Sequence, residues 1–391
     1  MHIVKFVSKF PYLNNTMQGY YCGGSILAAA ALTKELAKLG VTVTLFTTSK
    51  DRQDSIERYN NLAIHRYSTN LNLLSANVSF GMLYRPMNVG ADLVHVHFDL
   101  PPAPVFGYRY AKTNKIPLIL TYHGDWDHRY GSFFRRSAVY THNKFFVPKI
   151  LDFAERIICP TEEFVEESAV LKPYREKITV IPNGIDSALF HTLLSKNECR
   201  EVLHLPTDRQ ILLFVGSLYP HKGITQLISS MKRVIVKNPN TLLVIVGDGY
   251  LKEMLVRLVQ KLSIEDNVFF AGYISEQRKL VEYYHAADIF VLTSFSESYG
   301  MVLQEAAACE LPLVVSNLNI FKWLVRDGYN GVFTRTGDDK SIADAINRLL
   351  ENKFEREMMG KNAKETAQQN SWNCIAGRTI SLYRDVLSSY G

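Results

Sequence analysis

Ile211-Leu-Leu-Phe-Val-Gly216 is an unbroken apolar run that ends on glycine and leads into Ser217-Leu-Tyr-Pro-His-Lys222-Gly223. A helical pattern opens directly behind it at Ile224. A short apolar run closed by a Gly/Pro loop and followed by a helix reads as a strand buried on both faces of a parallel sheet. The chain begins the same way, with Ile3-Val-Lys-Phe-Val7 ahead of a helical pattern over Ile26–Leu39. Working outward from the two runs, strands are expected at Val41–Phe46, Leu93–Val96, Leu118–Tyr122, Arg156–Cys159 and Ile178–Ile181 in the first half. The second half offers Leu242–Val246, Val268–Ala271, Ile289–Leu292 and Leu313–Val315. Helical periodicity appears between them, as at Pro104–Ala111 and Phe164–Leu171.

Strands alternating with helices in two successive series imply an α/β chain of two Rossmann-like, doubly wound parallel-sheet domains. Val180-Ile-Pro-Asn-Gly-Ile-Asp186 marks the boundary, because a Pro and an Asn-Gly pair follow a strand at once. Residues 1–185 are read as one domain and 186–370 as the other. Residues 371–391 are read as a final helix that packs back on the first. Ligands of open sheets bind beyond the carboxyl ends of the strands, so the site is expected in a cleft that both domains face.

Composition narrows the class. The 391 residues are 47% hydrophobic and 21% charged, a globular balance. The apolar run Ile26–Leu32 is too short to span a bilayer, and the N-terminus lacks a signal peptide's order. A cytoplasmic protein, free or peripheral on the cytoplasmic face of a membrane, is expected. Cys22, Cys159, Cys199, Cys309 and Cys374 form no C-x-x-C pair, which argues against a disulfide framework or zinc site. Up to Ile185 there are 21 Lys and Arg against 15 Asp and Glu; beyond it 23 face 23. The excess positive charge therefore sits entirely in the first half.

Three loops between a strand and a helix carry chemistry. Ser294-Phe-Ser-Glu297-Ser-Tyr-Gly300-Met-Val-Leu-Gln-Glu305 joins a strand to a helix whose first amides are free to hold a diphosphate. Glu305, one turn beyond Met301, suits ribose hydroxyls, and Glu297 would face a group on the other side of the phosphates. In the loop after Val215, Gly216 ends the strand and Lys222 sets a cation where phosphate charge would gather. Gly23-Gly24, before the first helix, permits close approach of a ligand. None of these forms G-x-G-x-x-G, which disfavours a nicotinamide enzyme. His123 ends the strand Leu118–Tyr122. Asp125-Trp-Asp127 follows, but one D-x-D pair in a chain of this size is expected by chance, so no metal site is assigned.

These motifs resemble those of family 4 glycosyltransferases, retaining nucleotide-sugar enzymes of the GT-B fold, over nearly the whole chain. The Val180–Asp186 junction, the Gly247-Asp-Gly-Tyr-Leu-Lys252 turn and the E-x7-E spacing of Glu297 and Glu305 carry the likeness. The resemblance implies that Glu305 binds the donor ribose and that the amides of Gly300, Met301 and Val302 bind its diphosphate. Gly216, Ser217 and Tyr299 belong to the same donor site. Glu297 would contact the transferred sugar and Lys222 the leaving diphosphate. Gly24 would let an amide approach that diphosphate, and His123 would hydrogen-bond the sugar near the reacting carbon. No cofactor or metal is implied; the partners are a nucleotide-sugar donor and a glycan, lipid-linked or small-molecule acceptor. The chain departs from the family at Ser217, where arginine is usual, at Tyr299 for phenylalanine, and at Glu310 for glycine. The usual Gly-Gly and Glu are absent from Asn317–Trp323, where Asn319-Ile320 stands.

From His128 to Leu151 there is no Asp or Glu: Arg129, Arg135, Arg136, Lys144 and Lys149 are interleaved with Tyr130, Phe133, Phe134, Tyr140, Phe145 and Phe146. Such a segment suits an anionic membrane surface or the acceptor. The plainer alternative is a helix that packs its aromatics on the first domain. Nucleic acid is not an expected partner, since no reader fold accompanies the charge. Two further readings stay open: a same-fold epimerase or phosphorylase, and a noncatalytic sugar-nucleotide-binding subunit.

Overall fold

The computed structural model describes residues 1–13, 24–50, 53–73, 76–98, 101–126 and 132–390. The chain divides into two compact units, Met1–Gly184 with Trp372–Gly391, and Ile185–Ser371.

The strands of the first unit are β1 (His2–Phe6), β2 (Thr42–Thr48), β3 (Ser55–Tyr59), β4 (Leu62–Tyr67), the ribbon β5 (Leu71–Leu73) and β6 (Ala76–Val78), β7 (Leu93–Phe98), β8 (Leu118–Tyr122), β9 (Arg156–Cys159) and β10 (Ile178–Val180). Its helices are α1 (Gly24–Lys38), α2 (Gly81–Tyr84), α3 (Ala103–Asn114), α4 (Phe133–Phe145), α5 (Val147–Phe153) and α6 (Glu162–Glu167). The main sheet runs β10-β9-β8-β7-β1-β2-β4-β3, parallel except where β3 pairs with β4. Strand order reverses at β1, which lies between β2 and β7.

The second unit contains α7 (Lys196–Val202), β11 (Gln210–Val215), α8 (Ile224–Lys237), β12 (Thr241–Val246), α9 (Lys252–Leu262), β13 (Val268–Gly272), α10 (Gln277–Ala286) and β14 (Ile289–Leu292). Then follow α11 (Met301–Ala308), β15 (Leu313–Ser316), β16 (Gly331–Thr334), α12 (Asp339–Glu351) and α13 (Lys353–Gln368). Its sheet is parallel in the order β13-β12-β11-β14-β15-β16. The reversal lies between β11 and β14, the two strands whose loops carry Lys222 and Glu297.

The last helix, α14 (Trp372–Ser389), returns to the first unit. Trp372, Ile375, Ile380, Tyr383 and Val386 join one core with Ile3, Leu36, Val43 and Ile64. Gly184 is the contact that admits it, since a Cβ there would lie 2.6 Å from the Trp372 ring and 2.8 Å from its Cα. The Arg378 guanidinium donates to the Val180 carbonyl at 2.9 Å, tying the helix to the end of β10.

Three sequence expectations change. The helix expected over Phe164–Leu171 stops at Glu167, because Ser168 turns extended (φ −74°, ψ 113°). Its hydroxyl then donates to both oxygens of Asp125, at 2.8 and 3.0 Å. Strands β3 to β6 are additions to the sequence expectations, and so is β16, whose Gly331-Val-Phe-Thr334 is short and opens on glycine.

Candidate functional site

The second-unit site lies at the ends of β11 and β14. Gly300 precedes α11 with φ +81°, a left-handed conformation that glycine adopts freely. At the start of α11 the amides of Met301 and Val302 have no carbonyl partner within the helix. Tyr299, expected among the donor contacts, is instead buried at 3% exposure. Its ring stacks on Trp323 with centroids 4.3 Å apart, and the indole donates to the Tyr299 carbonyl at 3.2 Å. Its side chain therefore supports the turn from beneath.

Lys222 and Glu297 meet as an ion pair, and the Ser294 hydroxyl donates to the same Glu297 oxygen at 3.1 Å. Both charged side chains are mostly buried, at 15% and 10% exposure. Gly223 makes the approach possible. Its φ is +63°, and a Cβ would fall 1.9 Å from the Thr293 carbonyl oxygen. The Thr293 hydroxyl in turn donates to the Gly223 carbonyl at 2.9 Å.

Gly216 and Ser217, both half-buried, rest on the Gly247-Asp-Gly turn. The Leu218 amide donates to the Asp248 carbonyl at 3.0 Å, and a Cβ on Gly247 would lie 1.9 Å from the Gly216 oxygen. Glu305 is held by a residue that sequence reasoning missed: the Tyr284 hydroxyl of α10 donates to its Oε2 at 2.7 Å. Burial raises the Glu305 carboxyl above the ordinary range, and the Tyr284 hydrogen bond partly offsets the rise. Nothing in the local sequence joins Tyr284 to Glu305, which lie on α10 and α11, twenty-one residues apart. Glu310 has φ +60°, so a non-glycine residue does occupy the left-handed position after α11, with an ion pair to Lys364.

In the first unit, Gly24 opens α1, while Gly23 lies outside the described residues. Sequence reasoning also missed Arg66, a fully buried guanidinium that holds the chain leading toward that loop. It donates to the carbonyls of Phe10 at 2.7 Å and Pro11 at 2.9 Å and lies over the Tyr12 ring. His123 stands half-buried just past β8, its Nε2 2.9 Å from His97 Nδ1. Burial, with the Lys5 ammonium adding to it, lowers His123 to about 4, so the ring is neutral at physiological pH. Asp125 accepts from Tyr122 at 2.9 Å as well as from Ser168; Asp127 lies outside the described residues.

The basic segment forms α4, capped by Ser132. Val139 and His142 face inward, whereas Phe133 and Phe134 are 77% and 78% exposed and Tyr140 and Phe145 about half exposed. Arg136 and Lys144 share that outward side, Arg135 is half-buried, and Arg129 lies outside the described residues. These four aromatics are thus not packed on the unit's core. No helix among the described residues is long and apolar enough to cross a membrane.

Two family models match the chain in succession: Glycosyltransferase Family 4 over residues 23–189, and Glycosyl transferases group 1 over residues 195–366. An uncharacterized glycosyltransferase of Methanocaldococcus jannaschii is 30% identical over 241 residues, which cover 60% of this chain and 61% of that protein. A D-inositol 3-phosphate glycosyltransferase of Mycolicibacterium smegmatis is 32% identical over 62% of this chain and 55% of its own. That of Kineococcus radiotolerans is 26% identical over 93% of this chain and 90% of its own length. The matched region thus spans about six-tenths of the first of these relatives. Among solved structures, sucrose-phosphate synthase from Thermosynechococcus elongatus superposes with TM-score 0.78 at 22% identity, covering 99% of both chains. Anabaena HepE in complex with UDP and glucose gives 0.77 at 19% identity, over 98% of this chain and all of its own. Both show the GT-B fold.

Proposed function

This chain belongs to the family 4 glycosyltransferases, and on that premise we propose that it transfers a hexosyl group from a nucleoside-diphosphate sugar to a glycan, lipid-linked or small-molecule acceptor, retaining the anomeric configuration without a metal ion. The observation that carries the reading is the left-handed Gly300 turn at the strand-order reversal, which bares the amides of Met301 and Val302 at the positive end of α11. Lys222 adds a compact cation from the adjacent strand end. In the free protein it is paired with Glu297. A donor diphosphate takes over the lysine, and Glu297 is released to accept hydrogen bonds from sugar hydroxyls.

The acceptor oxygen attacks the anomeric carbon on the face the diphosphate leaves. As the carbon–phosphate-oxygen bond breaks, that oxygen takes the acceptor's proton. Negative charge grows on the diphosphate in the transition state, where fixed amides and an ammonium act most strongly. Glu305, oriented by Tyr284, binds the ribose. Gly216, Ser217 and Gly24 bring backbone close to the phosphates, and neutral His123 hydrogen-bonds the sugar.

A thermal-shift panel of nucleoside diphosphates tests the reading, beginning with UDP because HepE is described with it. The fitting base should raise the melting temperature by mass action; no shift with any base would overturn the donor site. Release of free diphosphate only when acceptor is present separates a transferase from an epimerase, a phosphorylase or a noncatalytic subunit.

We place the enzyme on the cytoplasmic face of an anionic membrane through α4. Each basic residue near such a surface contributes about 1 kcal/mol, so Arg135, Arg136 and Lys144 together favour anionic over neutral vesicles ~10²-fold. Phe133→Ser with Phe134→Ser should abolish co-sedimentation while leaving turnover on a soluble acceptor intact.

A further inference from the structure

The first unit has its own polar cluster at the point where its strand order reverses. Lys5 of β1 is in register with His95 of β7, and His97 of β7 with Thr121 of β8. Because side chains alternate along a strand, Lys5, His95, His97, Thr121 and His123 share one face. The three imidazoles stack in sequence, His95 on His97 with centroids 4.6 Å apart and His97 on His123 at 5.2 Å. His95 is satisfied at both nitrogens, by the Tyr383 hydroxyl of α14 and by the Thr121 hydroxyl at 2.7 Å. Two buried atoms of this cluster have no partner among the described residues: Lys5 Nζ, on a side chain with no exposure, and His97 Nε2. Such atoms cost free energy, which makes their retention informative.

The proton on His97 has two possible seats. If it sits on Nε2, a buried N–H donor is stranded near a buried ammonium. If it sits on Nδ1, it is donated to His123 Nε2, and only a lone pair is left bare in the field of Lys5. The second arrangement costs less, because positive charge stabilises a lone pair and repels an N–H. A His123 that accepts at Nε2 carries its own hydrogen on Nδ1.

We propose that His97 and Lys5 are positioning residues that hold His123 as the neutral Nδ1–H tautomer, so that it presents a hydrogen-bond donor, not a base, to the reacting sugar. The proposal rests on the reading of His123 as a sugar contact and deepens it. A donor there suits a hydroxyl or ring oxygen, and it leaves proton uptake to the departing phosphate. The groups facing His123 are Lys5 from β1, His95 and His97 from β7, and Tyr383 from α14 behind His95; Asp125 is turned to Tyr122 and Ser168. Burial lowers Lys5 itself to about 7, so it is charged throughout the range in which His123 titrates.

Nitrogen-15 NMR of the full chain labelled at histidine tests this, with His123→Gln assigning the resonance. His123 should show a protonated Nδ1 and a bare Nε2. Lys5→Met, which fills similar space, should raise the His123 pKa by ~1 unit, and the acid limb of kcat/KM should rise with it while the plateau holds. His97→Leu should mix the tautomers and lower kcat about 10-fold or more, whereas His97→Asn, which keeps a donor near the Nδ1 position, should restore most of both. A His123 with bare Nδ1, or an unchanged tautomer in His97→Leu, overturns the proposal whatever the activity. Should the tautomer be as inferred while His123→Leu keeps full turnover, it is the reading of His123 as a sugar contact that falls, and the catalytic part of the proposal with it.

Discussion

Glu305 keeps its carboxylate where water is scarce, and that gives a pH signature to stability and to binding alike. Its carboxyl is raised by burial above its ordinary 4.5. The folded state therefore holds the proton more tightly than the unfolded chain does. Stability falls as pH rises from 4.5 through the raised value, and above it the full cost of the buried charge persists. Glu305→Gln keeps an acceptor for Tyr284 and removes the charge. It should stabilise the unliganded protein at neutral pH by about 1.4 kcal/mol for each unit of the rise, a gain that fades as pH drops toward 4.5. Melting curves between pH 4 and 8 check this. The same variant should weaken nucleoside-diphosphate binding by calorimetry, which marks the charge as kept for a ligand. Lys222→Ala should lower kcat ~10²–10³-fold with a much smaller loss in urea stability, since Ser294 still donates to Glu297. The sequence exposes Glu297, Glu305 and Lys222 because each falls at a strand end or one helical turn beyond it. It hides Tyr284, which holds Glu305, and His97 and Lys5, which face His123: each comes from a separate element, and only packing brings it within reach.

Elements bear the constraint that glycine imposes. Gly223 joins the loop of Lys222 to α8, with φ +63° and the Thr293 carbonyl where a Cβ would go. Gly223→Ala adds a left-handed conformation costing about 1–2 kcal/mol to a clash costing about 1–3. A loss of about 2–5 kcal/mol in urea unfolding is expected, along with loss of nucleotide binding. Glu310 shows the reverse case, a long side chain already in the left-handed region. The same reasoning explains which elements were readable. Buried central strands such as β11 and β14 are continuous apolar runs, so their period needs no tertiary help. The edge strand β3, Ser55-Ile-Glu-Arg-Tyr59, is largely exposed and offers no buried face to betray it, and even Ile56 points to solvent. The stop of α6 at Glu167 is tied to Asp125, which binds Ser168 from forty-three residues away in sequence.

At the scale of the whole molecule, the last twenty residues decide whether the first unit exists. Trp372, Ile375, Ile380, Leu382, Tyr383 and Val386 are all buried against its core. At about 1.5–3 kcal/mol each, their removal costs on the order of 10 kcal/mol, as much as the whole stability of an ordinary domain. Tyr383 also carries the hydrogen bond that orients His95 beneath the His97–His123 pair. A chain ending at Ser371 should therefore lose the first unit's unfolding transition. The second unit, with its own sheet and core between Ile185 and Ser371, should keep its transition. Nucleoside diphosphate at about 100 times its Kd adds ~2.7 kcal/mol to whatever binds it, worth about 5–10 °C in a unit of this size. Differential scanning calorimetry of the full and shortened chains, with and without the nucleotide, reads all of this at once. The nucleotide should move the same transition in both, because Lys222, Glu297, Gly300 and Glu305 all belong to the second unit. A shortened chain whose surviving transition ignores the nucleotide would mean that the donor's affinity depends on the first unit, through residues such as Gly24, more than on the Gly300 turn.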